Sequence, residues 1–239
     1  MAGTDKQGTR RSSKRIRGAG GTTDSFEPRQ ARSRESERKL LKAAAEVLGQ
    51  HGVEGTTIPR IAAHAGMTPG SIYRRFPDKE ALLETVILGI LERQDEHLRT
   101  GMTEKMTAQI PLPVFAEQIV NSLLVSYRAN AGLLRALQQF WRSSENEEFR
   151  KKAARLEVRS FSRLVGLFAA AAKDVDHPDP KTGVAMGLMM VVSTLHELVL
   201  HTPDLKLFKG LLPQDDRALR RELVRAFLGY LGGAAGRLD

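Results

Sequence analysis

The chain has 239 residues, a formal net charge of +9 and a sequence pI of about 10.0. A chain of this length can bury a substantial hydrophobic core, either as one large domain or as two smaller ones. Its excess of positive charge indicates a polyanionic partner, which is nucleic acid or an acidic membrane surface. Because the chain contains no cysteine, disulfide bonds, thiolate metal sites and cysteine nucleophiles are excluded.

Residues 1–34 differ in composition from the rest of the chain. They are rich in Gly, Ser, Thr, Lys and Arg, and they include nine basic but only three acidic residues. A segment this poor in apolar side chains cannot bury enough surface to offset its conformational entropy, so we predict a disordered basic arm. The arm either adds salt-sensitive attraction for DNA or is a passive solvated tail, and the sequence leaves both readings open.

The segment 35–84 has the pattern of three short helices. The first, over 36–51, carries apolar residues at i, i+3, i+4 and i+7 and is closed by Gly52. The second repeats this spacing with Ile58, Ile61, Ala62 and Ala65, after Thr57 as the N-cap. Gly66 then allows a tight turn, and a third helix restarts with Thr68 as N-cap and Pro69 as first residue. Two helices joined by a short turn containing glycine form a helix-turn-helix motif.

The outward side of this motif carries donors suited to DNA. Small, hydroxylic and cationic residues can approach the phosphate backbone and reach the base edges. Alternatively, Tyr73 is a packing residue, and Arg74 and Arg75 are ordinary solvated surface. The predicted DNA contacts are Thr57, Arg60, Thr68, Pro69, Gly70, Ser71, Tyr73, Arg74, Arg75 and Lys79.

Over residues 36–85 the chain resembles the DNA-binding domain of the TetR family of transcriptional repressors. The resemblance is carried by about ten positions in order and spacing, which are Thr56, Thr57, Ile61, Ala62, Ala65, Gly66, Tyr73, Phe76, Lys79 and Leu82. It implies a cytoplasmic prokaryotic regulator that docks on DNA through the second helix of the motif. The family often has His at the position of Arg75, so the operator sequence is not implied.

The remainder, 85–239, is predicted to be a larger helical domain for regulation, ligand binding and dimerisation. A long helix over 78–99 leads out of the DNA-binding segment, and a loop or short irregular helix is expected over 100–113. Further helical patterns cover 114–129, 131–142 and 147–175, with Phe115, Ile119, Leu123 and Val125 predicted inward in the first of them. Because no strand alternation occurs, the predicted fold class is all-α.

Two strongly apolar helices are predicted near the C-terminus, over 182–202 and 215–231. The first approaches membrane-spanning length, but Glu197 within it argues against a membrane, so we predict burial against a partner chain. The family resemblance likewise implies homodimers formed through the last two long helices. The predicted interface residues are Leu195, Val199, Leu219, Leu223, Phe227 and Leu231.

No constellation for catalysis, for a metal or for another cofactor is present in the sequence. His196, Glu197 and His201 differ from a zinc motif, because the two histidines are five residues apart rather than four. By resemblance, the helical body should bind a small and apolar effector that shifts the dimer between two arrangements. Its predicted lining is Phe115, Leu123, Tyr127, Leu137, Phe140, Trp141, Phe161, Met186, Met189 and Met190, although for each residue taken alone ordinary core packing is the favoured alternative.

The sequence therefore predicts a non-enzymatic, sequence-specific DNA-binding regulator. We expect a repressor that acts as a homodimer on a palindromic operator and responds to an effector. The alternative is a basic protein that coats DNA without sequence preference, with the helical body serving only assembly.

Overall fold

The computed structural model describes residues 26–172, 175–201 and 205–232. All regular structure in these ranges is helical, which confirms the predicted all-α class. The chain divides into two units, Met1–Arg38 and Lys39–Asp239.

The first helix begins earlier than the sequence pattern indicates. Helix α1 spans Phe26–Gly55, so residues 26–34, which we assigned to the disordered arm, are helical. The reason is local, since this stretch is rich in good helix formers, and Glu35 and Arg38 pair at 2.8 Å one turn apart. The remainder of the predicted arm, 1–25, lies outside the described residues. Gly52 interrupts the helix as predicted, with a φ of 67°.

Three helices after α1 build the helix-turn-helix region and its connection to the body. They are α2 (Ile58–Ala65), α3 (Pro69–Tyr73) and α4 (Lys79–Gly101). Gly66 adopts the left-handed conformation (φ 63°, ψ 41°) that ends α2 and turns the chain into α3. The inward residues predicted for α2 and α3, Ile58, Ile61, Ala62 and Ile72, form one core with α1 and α4. The other buried members of this core are Leu40, Ala44, Val47, Leu82 and Val86. We call the region 39–78 the head.

The helices beyond α4 follow the predicted order. The irregular region contains the four-residue helix α5 (Glu104–Thr107). The longer body helices are α6 (Leu112–Ala129), α7 (Ala131–Ser143), α8 (Glu147–Ala171), α9 (Pro180–Leu195) and α10 (Asp216–Tyr230). One feature was not predicted. Helix α9 continues into a π-helical turn, His196–His201, and a short 3₁₀ helix, Leu205–Phe208, precedes α10.

The core of the body is centred on three phenylalanines from three helices. The ring centroids of Phe115 and Phe168 are 4.6 Å apart, and those of Phe168 and Phe227 are 5.2 Å apart. Helices α9 and α10 approach closely at Gly187, where an added Cβ would lie 2.7 Å from the Phe227 ring. Val125, which we predicted to face inward, is 59% exposed, because the buried face of α6 is formed by Phe115, Ala116, Val120 and Leu124.

The six side chains predicted at a dimer interface are buried within one protomer. Each is at most 7% exposed, and all belong to the body core: Leu195, Val199, Leu219, Leu223, Phe227 and Leu231. The large apolar side chains exposed on α9 are instead Met186, Met189 and Met190, at 48%, 47% and 41%. Because α9 is apolar on more than one side, its sequence alone could not decide which side the protomer itself covers.

By length and composition, Pro180–His201 could also cross a membrane. Of its apolar window, 44% is buried against the other helices of the protomer. The core helix of a folded domain has the same composition, so the segment by itself does not indicate a membrane protein.

Helices α4 and α7 join the head to the body. Leu83 and Ile87 of α4 share a second core with Phe140 of α7 and Phe149 of α8. At the start of α7, Gly132 packs directly on the backbone of α1, because an added Cβ would overlap the carbonyl oxygen of Gly49. This contact has no room for a side chain.

A buried carboxylate reinforces the junction between α4 and α8. Asp95 of α4 is 5% exposed, and it accepts hydrogen bonds from Arg163 at 2.9 Å and pairs with Arg159 at 2.8 Å, both from α8. Burial disfavours the charged form of Asp95, but the bonds from Arg163 and Arg159 outweigh it and hold its pKa below the ordinary value. These two arginines therefore hold the C-terminal part of α4 against α8.

Candidate nucleic-acid interface

Threonine caps fix both helices of the helix-turn-helix. The hydroxyl oxygen of Thr57 accepts from the backbone N–H of Arg60, and that of Thr68 accepts from the N–H of Ser71, each at 3.3 Å. Asp78 caps α4 in the same way, with its carboxylate 2.7 Å from the N–H of Ala81. These bonds satisfy donors that a helix N-terminus otherwise leaves free, so the positions where the helices start are set locally.

Backbone hydrogen bonds continue past the end of α3. The N–H groups of Arg75 and Phe76 both bond to the carbonyl of Ile72, at 2.9 and 3.0 Å. Ile72 is fully buried and Phe76 is partly buried, and together they orient the segment on the core. The intervening Tyr73, Arg74 and Arg75 therefore lie on the opposite, exposed side.

Eight of the ten residues that we predicted as DNA contacts are exposed, while Ser71 and Lys79 are half-buried. Tyr73 is 54% exposed, which is far more than an aromatic residue used only for packing would be. The contacts thus lie on accessible surface around α3, and their role in DNA binding remains a prediction.

Local hydrogen bonds orient some of these polar side chains. The guanidinium of Arg60 donates to the carbonyl of Gly55, and the hydroxyl of Ser71 donates to the carbonyl of Thr68 at 2.6 Å. The Lys79 ammonium lies 3.8 Å from the carboxylate of Glu80, at the start of α4. From Thr56 to Pro77 the sequence contains no acidic residue, so α3 presents its donors without a repelling carboxylate of its own.

The residues that we predicted as an effector pocket are divided between two cores and the protomer surface. Phe115, Leu123, Tyr127 and Phe161 belong to or pack against the body core, whereas Leu137, Phe140 and Trp141 belong to the core shared with α4. The remaining three, Met186, Met189 and Met190, lie on the protomer surface. An effector site built from these residues stays a prediction.

The structure adds a polar pair inside the body that the sequence did not indicate. The hydroxyl of Tyr127 lies 3.0 Å from Nε2 of His196, the first residue of the π-helical turn. Burial, and then the charge of Glu157, raise the pKa of Tyr127 to about 12. Burial, followed by the positive groups of His201 and Arg142, lowers the pKa of His196. At neutral pH this pair is therefore uncharged.

A cavity of about 450 Å³ lies on the polar face of α7 and is also lined by His201 of the π-helical turn. Its wall includes Arg135, Gln138, Gln139 and Arg142, which are spaced i, i+3, i+4 and i+7 along α7. This spacing places all four on one polar face, so the sequence did contain a signal. It was missed because only the apolar face of α7 was followed.

Two family models match the chain. The model for bacterial regulatory proteins of the tetR family matches residues 40–86. The model described as the tetracyclin repressor-like C-terminal domain matches residues 111–231, which is half of the chain. The first match contains the helix-turn-helix, and the second contains every long helix of the body from α6 to α10.

Similar proteins of known function include DNA-binding repressors. The chain is 33% identical over 131 residues to the HTH-type transcriptional repressor KstR2 of Mycolicibacterium smegmatis, covering 52% of this chain and 63% of the relative. It is 29% identical over 120 residues to KstR2 of Rhodococcus jostii, covering 47% and 59%. The alignments thus span less than two thirds of these relatives.

Solved structures share the fold at low sequence identity. A TetR-family regulator from Mesorhizobium loti has a TM-score of 0.60 and 18% identity, with 84% of this chain and 96% of that chain covered. The regulator FadR of Bacillus subtilis, solved in complex with stearoyl-CoA, has a TM-score of 0.53 and 17% identity, with coverages of 82% and 98%. These likenesses extend over the head and the body together.

Proposed function

Because this chain belongs to the TetR family of bacterial transcriptional regulators, we propose that it is a repressor that binds one operator sequence as a homodimer. A small-molecule effector controls this binding, and the protein works in the cytoplasm on chromosomal DNA. The reading rests on the head, where the exposed side of α3 carries the donors that DNA recognition needs.

The observation that carries the proposal is the placement of Tyr73, Arg74 and Arg75. All three are exposed, Tyr73 as the last residue of α3 and the two arginines directly after it. Thr68 fixes the start of this helix, and Ile72 holds its other side in the core. The two guanidinium groups suit phosphates and guanine edges, and the tyrosine hydroxyl suits a phosphate. In the proposed complex, Thr57, Arg60, Thr68, Pro69, Gly70, Ser71 and Lys79 complete the contact surface.

The exposed methionines of α9 support a homodimer. Met186, Met189 and Met190 give α9 an apolar outer side that the described protomer leaves about half exposed. Methionine packs adaptably, and covering this side with the same helix of a second copy would remove it from water. A two-fold dimer places the two α3 helices in successive major grooves, about 34 Å apart, and so requires a palindromic operator.

An effector would act through the body. α4 and α7 both pack on the head and on the body core, so a ligand that shifts α7 changes how the head is held. The FadR structure contains stearoyl-CoA, which combines an apolar chain with a charged carrier. We propose a small molecule with an apolar portion for this chain, and the cavity beside α7 extends that proposal below.

Selection from a random duplex pool by the full-length protein, near physiological salt, tests the proposal. We expect one enriched sequence with two-fold symmetry and half-sites about one helical turn apart. Enrichment of an asymmetric site would contradict the dimer. No enrichment, with an affinity that only falls steeply with salt, would favour the alternative of a non-specific DNA-coating protein, which the pI of about 10.0 would then explain.

A further inference from the structure

An open pocket lies between α7 and the π-helical turn. Its volume of about 450 Å³ is within the usual range for small-molecule sites. We call it the cationic pocket, and it is lined by Arg135, Gln138, Gln139, Arg142, Ser143 and His201. A π-helical turn is rare and frequently marks a functional site, and here it supplies one wall.

Among the described residues, no carboxylate in the pocket lining balances its arginines. Neither Arg135 nor Arg142 forms an ion pair within the part of the chain that the structure describes. The carboxylate of Glu197 lies 3.9 Å from Nδ1 of His201, within the π-helical turn. Two unpaired guanidinium groups facing one cavity suit a carboxylate or a phosphate, which they can bind through paired N–H donors.

A second observation concerns Gln138. Its amide oxygen is buried and, within the described part of the chain, has no hydrogen-bond partner. Buried polar atoms in folded proteins are nearly always paired, so an unpaired one beside a cavity indicates a partner that is supplied from outside. The amide offers both donors and an acceptor, and it can therefore bond a polar group next to the anionic one.

The pocket also contacts the elements that hold the head. Arg135 bridges its two walls, because the guanidinium donates to the carbonyl of Leu200 at 3.4 Å. The same helix places Gly132 against the backbone of Gly49 and Phe140 in the core shared with α4. An anion that draws Arg135 and Arg142 toward it therefore acts on the helix that packs against the DNA-binding region.

We propose that the cationic pocket binds the carboxylate or phosphate group of the effector, and that the effector is thus an organic anion. The part of this inference that identifies the anion as the effector rests on the proposed function. The binding of an anion at this place does not depend on it.

Tryptophan fluorescence of the full-length protein tests the binding. Trp141 is the only tryptophan and precedes Arg142 on α7, so its emission should change when an anion shifts this helix. Two matched pairs of probes separate the chemistries: 4′-phosphopantetheine against pantetheine, which lacks only the phosphate, and benzoate against benzamide, which lacks the charge. We expect a saturable change with 4′-phosphopantetheine for a phosphate site or with benzoate for a carboxylate site, and at least tenfold weaker binding of the uncharged partner.

Variants locate the binding. Arg135→Gln and Arg142→Gln should each weaken the binding of the anion by tenfold or more, and Gln138→Leu should weaken it by a smaller factor. Arg217→Gln, which changes an exposed arginine on α10 outside the pocket, is the matched control and should bind as the wild type does. Failure of both anions to bind, or equal affinities in all variants, would overturn the proposal.

A second readout separates this inference from the proposed function. The titration contains no DNA, so the absence of an operator does not affect it. If the anion binds, a saturating concentration of it should change the affinity of the wild-type protein for the selected duplex by at least fivefold. The affinity of Arg142→Gln for the same duplex should not change. An unchanged affinity in the wild type would show that the pocket binds an anion that is not the effector.

Discussion

The head and the body of this protein differ in how strictly their sequences determine which side of each helix is buried. In the head, α2 and α3 are short, begin at capping side chains and bury one narrow apolar face, so a single arrangement satisfies the pattern. In the body, α9 is apolar on several sides, and the buried side chains of α6 to α10 are divided between two separate cores. Sequence patterns therefore specify the head more completely than the body.

The largest effect is expected where the body departs from the sequence prediction. Phe227 was predicted at an interface but is 1% exposed between Phe168 and Gly187. Phe227→Ala should lower the free energy of unfolding by about 3–5 kcal/mol, because it leaves a cavity in the core. Chemical denaturation measures this change, and Val125→Ala, at a site that is 59% exposed, is the control with little expected effect.

Met190→Glu tests whether the outer side of α9 forms the dimer interface. Because Met190 is 41% exposed in the protomer, the substitution should leave the fold intact and instead weaken self-association. Analytical ultracentrifugation over a concentration series should show monomers where the wild type is dimeric. A variant that stays dimeric would remove the outer side of α9 from the proposed interface.

The next effect concerns the ionic contact between α4 and α8. Asp95→Asn removes the charge that Arg159 and Arg163 enclose and should lower the thermal midpoint at neutral pH. The pKa of Asp95 is lowered in the folded state, so its stabilising contribution is present above the ordinary value of 3.8 and is lost as the pH falls further. The difference between variant and wild type should therefore shrink below about that pH.

A control for Asp95 is available on the same two helices. Glu92 pairs with Lys152 at 3.1 Å, but both side chains are about half exposed. Glu92→Gln should change the thermal midpoint little at any pH, because exposed pairs contribute little. Equal effects of the two substitutions would contradict a special role for the enclosed carboxylate.

In the head, removing one predicted DNA contact should have an intermediate effect on the affinity for the operator. Arg74→Ala should weaken operator binding by about 1–3 kcal/mol if the side chain reads a base, with relaxed preference at one position. If Arg74 instead contacts a phosphate, affinity should fall equally for all sequences and the salt dependence should flatten. Fluorescence anisotropy with operator and scrambled duplexes distinguishes these outcomes, and unchanged binding to both would exclude the residue from the interface.

The smallest expected effect tests the local determinants of the head. Thr68→Ala removes the acceptor for the N–H of Ser71 and should cost about 1 kcal/mol of stability in the absence of DNA. Thr68→Ser retains the hydroxyl and should restore most of that loss. Denaturation curves of the three proteins give the comparison, and a full effect in the serine variant would exclude capping as the cause.

The head could be predicted closely because its determinants are local in sequence. Thr57, Gly66 and Thr68 act within three or four residues of their partners, and Ile61 and Ile72 leave no alternative inward face. The start of α1 at Phe26 was missed, because composition was averaged over a whole segment although its end consists of good helix formers.

Features of the body that depend on contacts between residues far apart in the sequence could not be predicted from local patterns. Nothing near Gly132 in the sequence reveals the backbone of Gly49, and nothing near Asp95 reveals Arg163. The assignment of Leu195 to the protomer core and of Met190 to its surface depends on the packing of α9 against α8 and α10. The cationic pocket likewise requires α7 and the π-helical turn to meet.

The most direct test of this account is the ratio of affinities of the full-length protein for its selected duplex and for a scrambled duplex at one fixed salt concentration. The account predicts a ratio on the order of a thousand or more, with two protomers bound per palindrome. The contradicting result is a ratio near one that Arg74→Ala leaves unchanged, with an affinity for both duplexes that falls mainly when residues 1–25 are removed. That result would favour a basic protein that coats DNA.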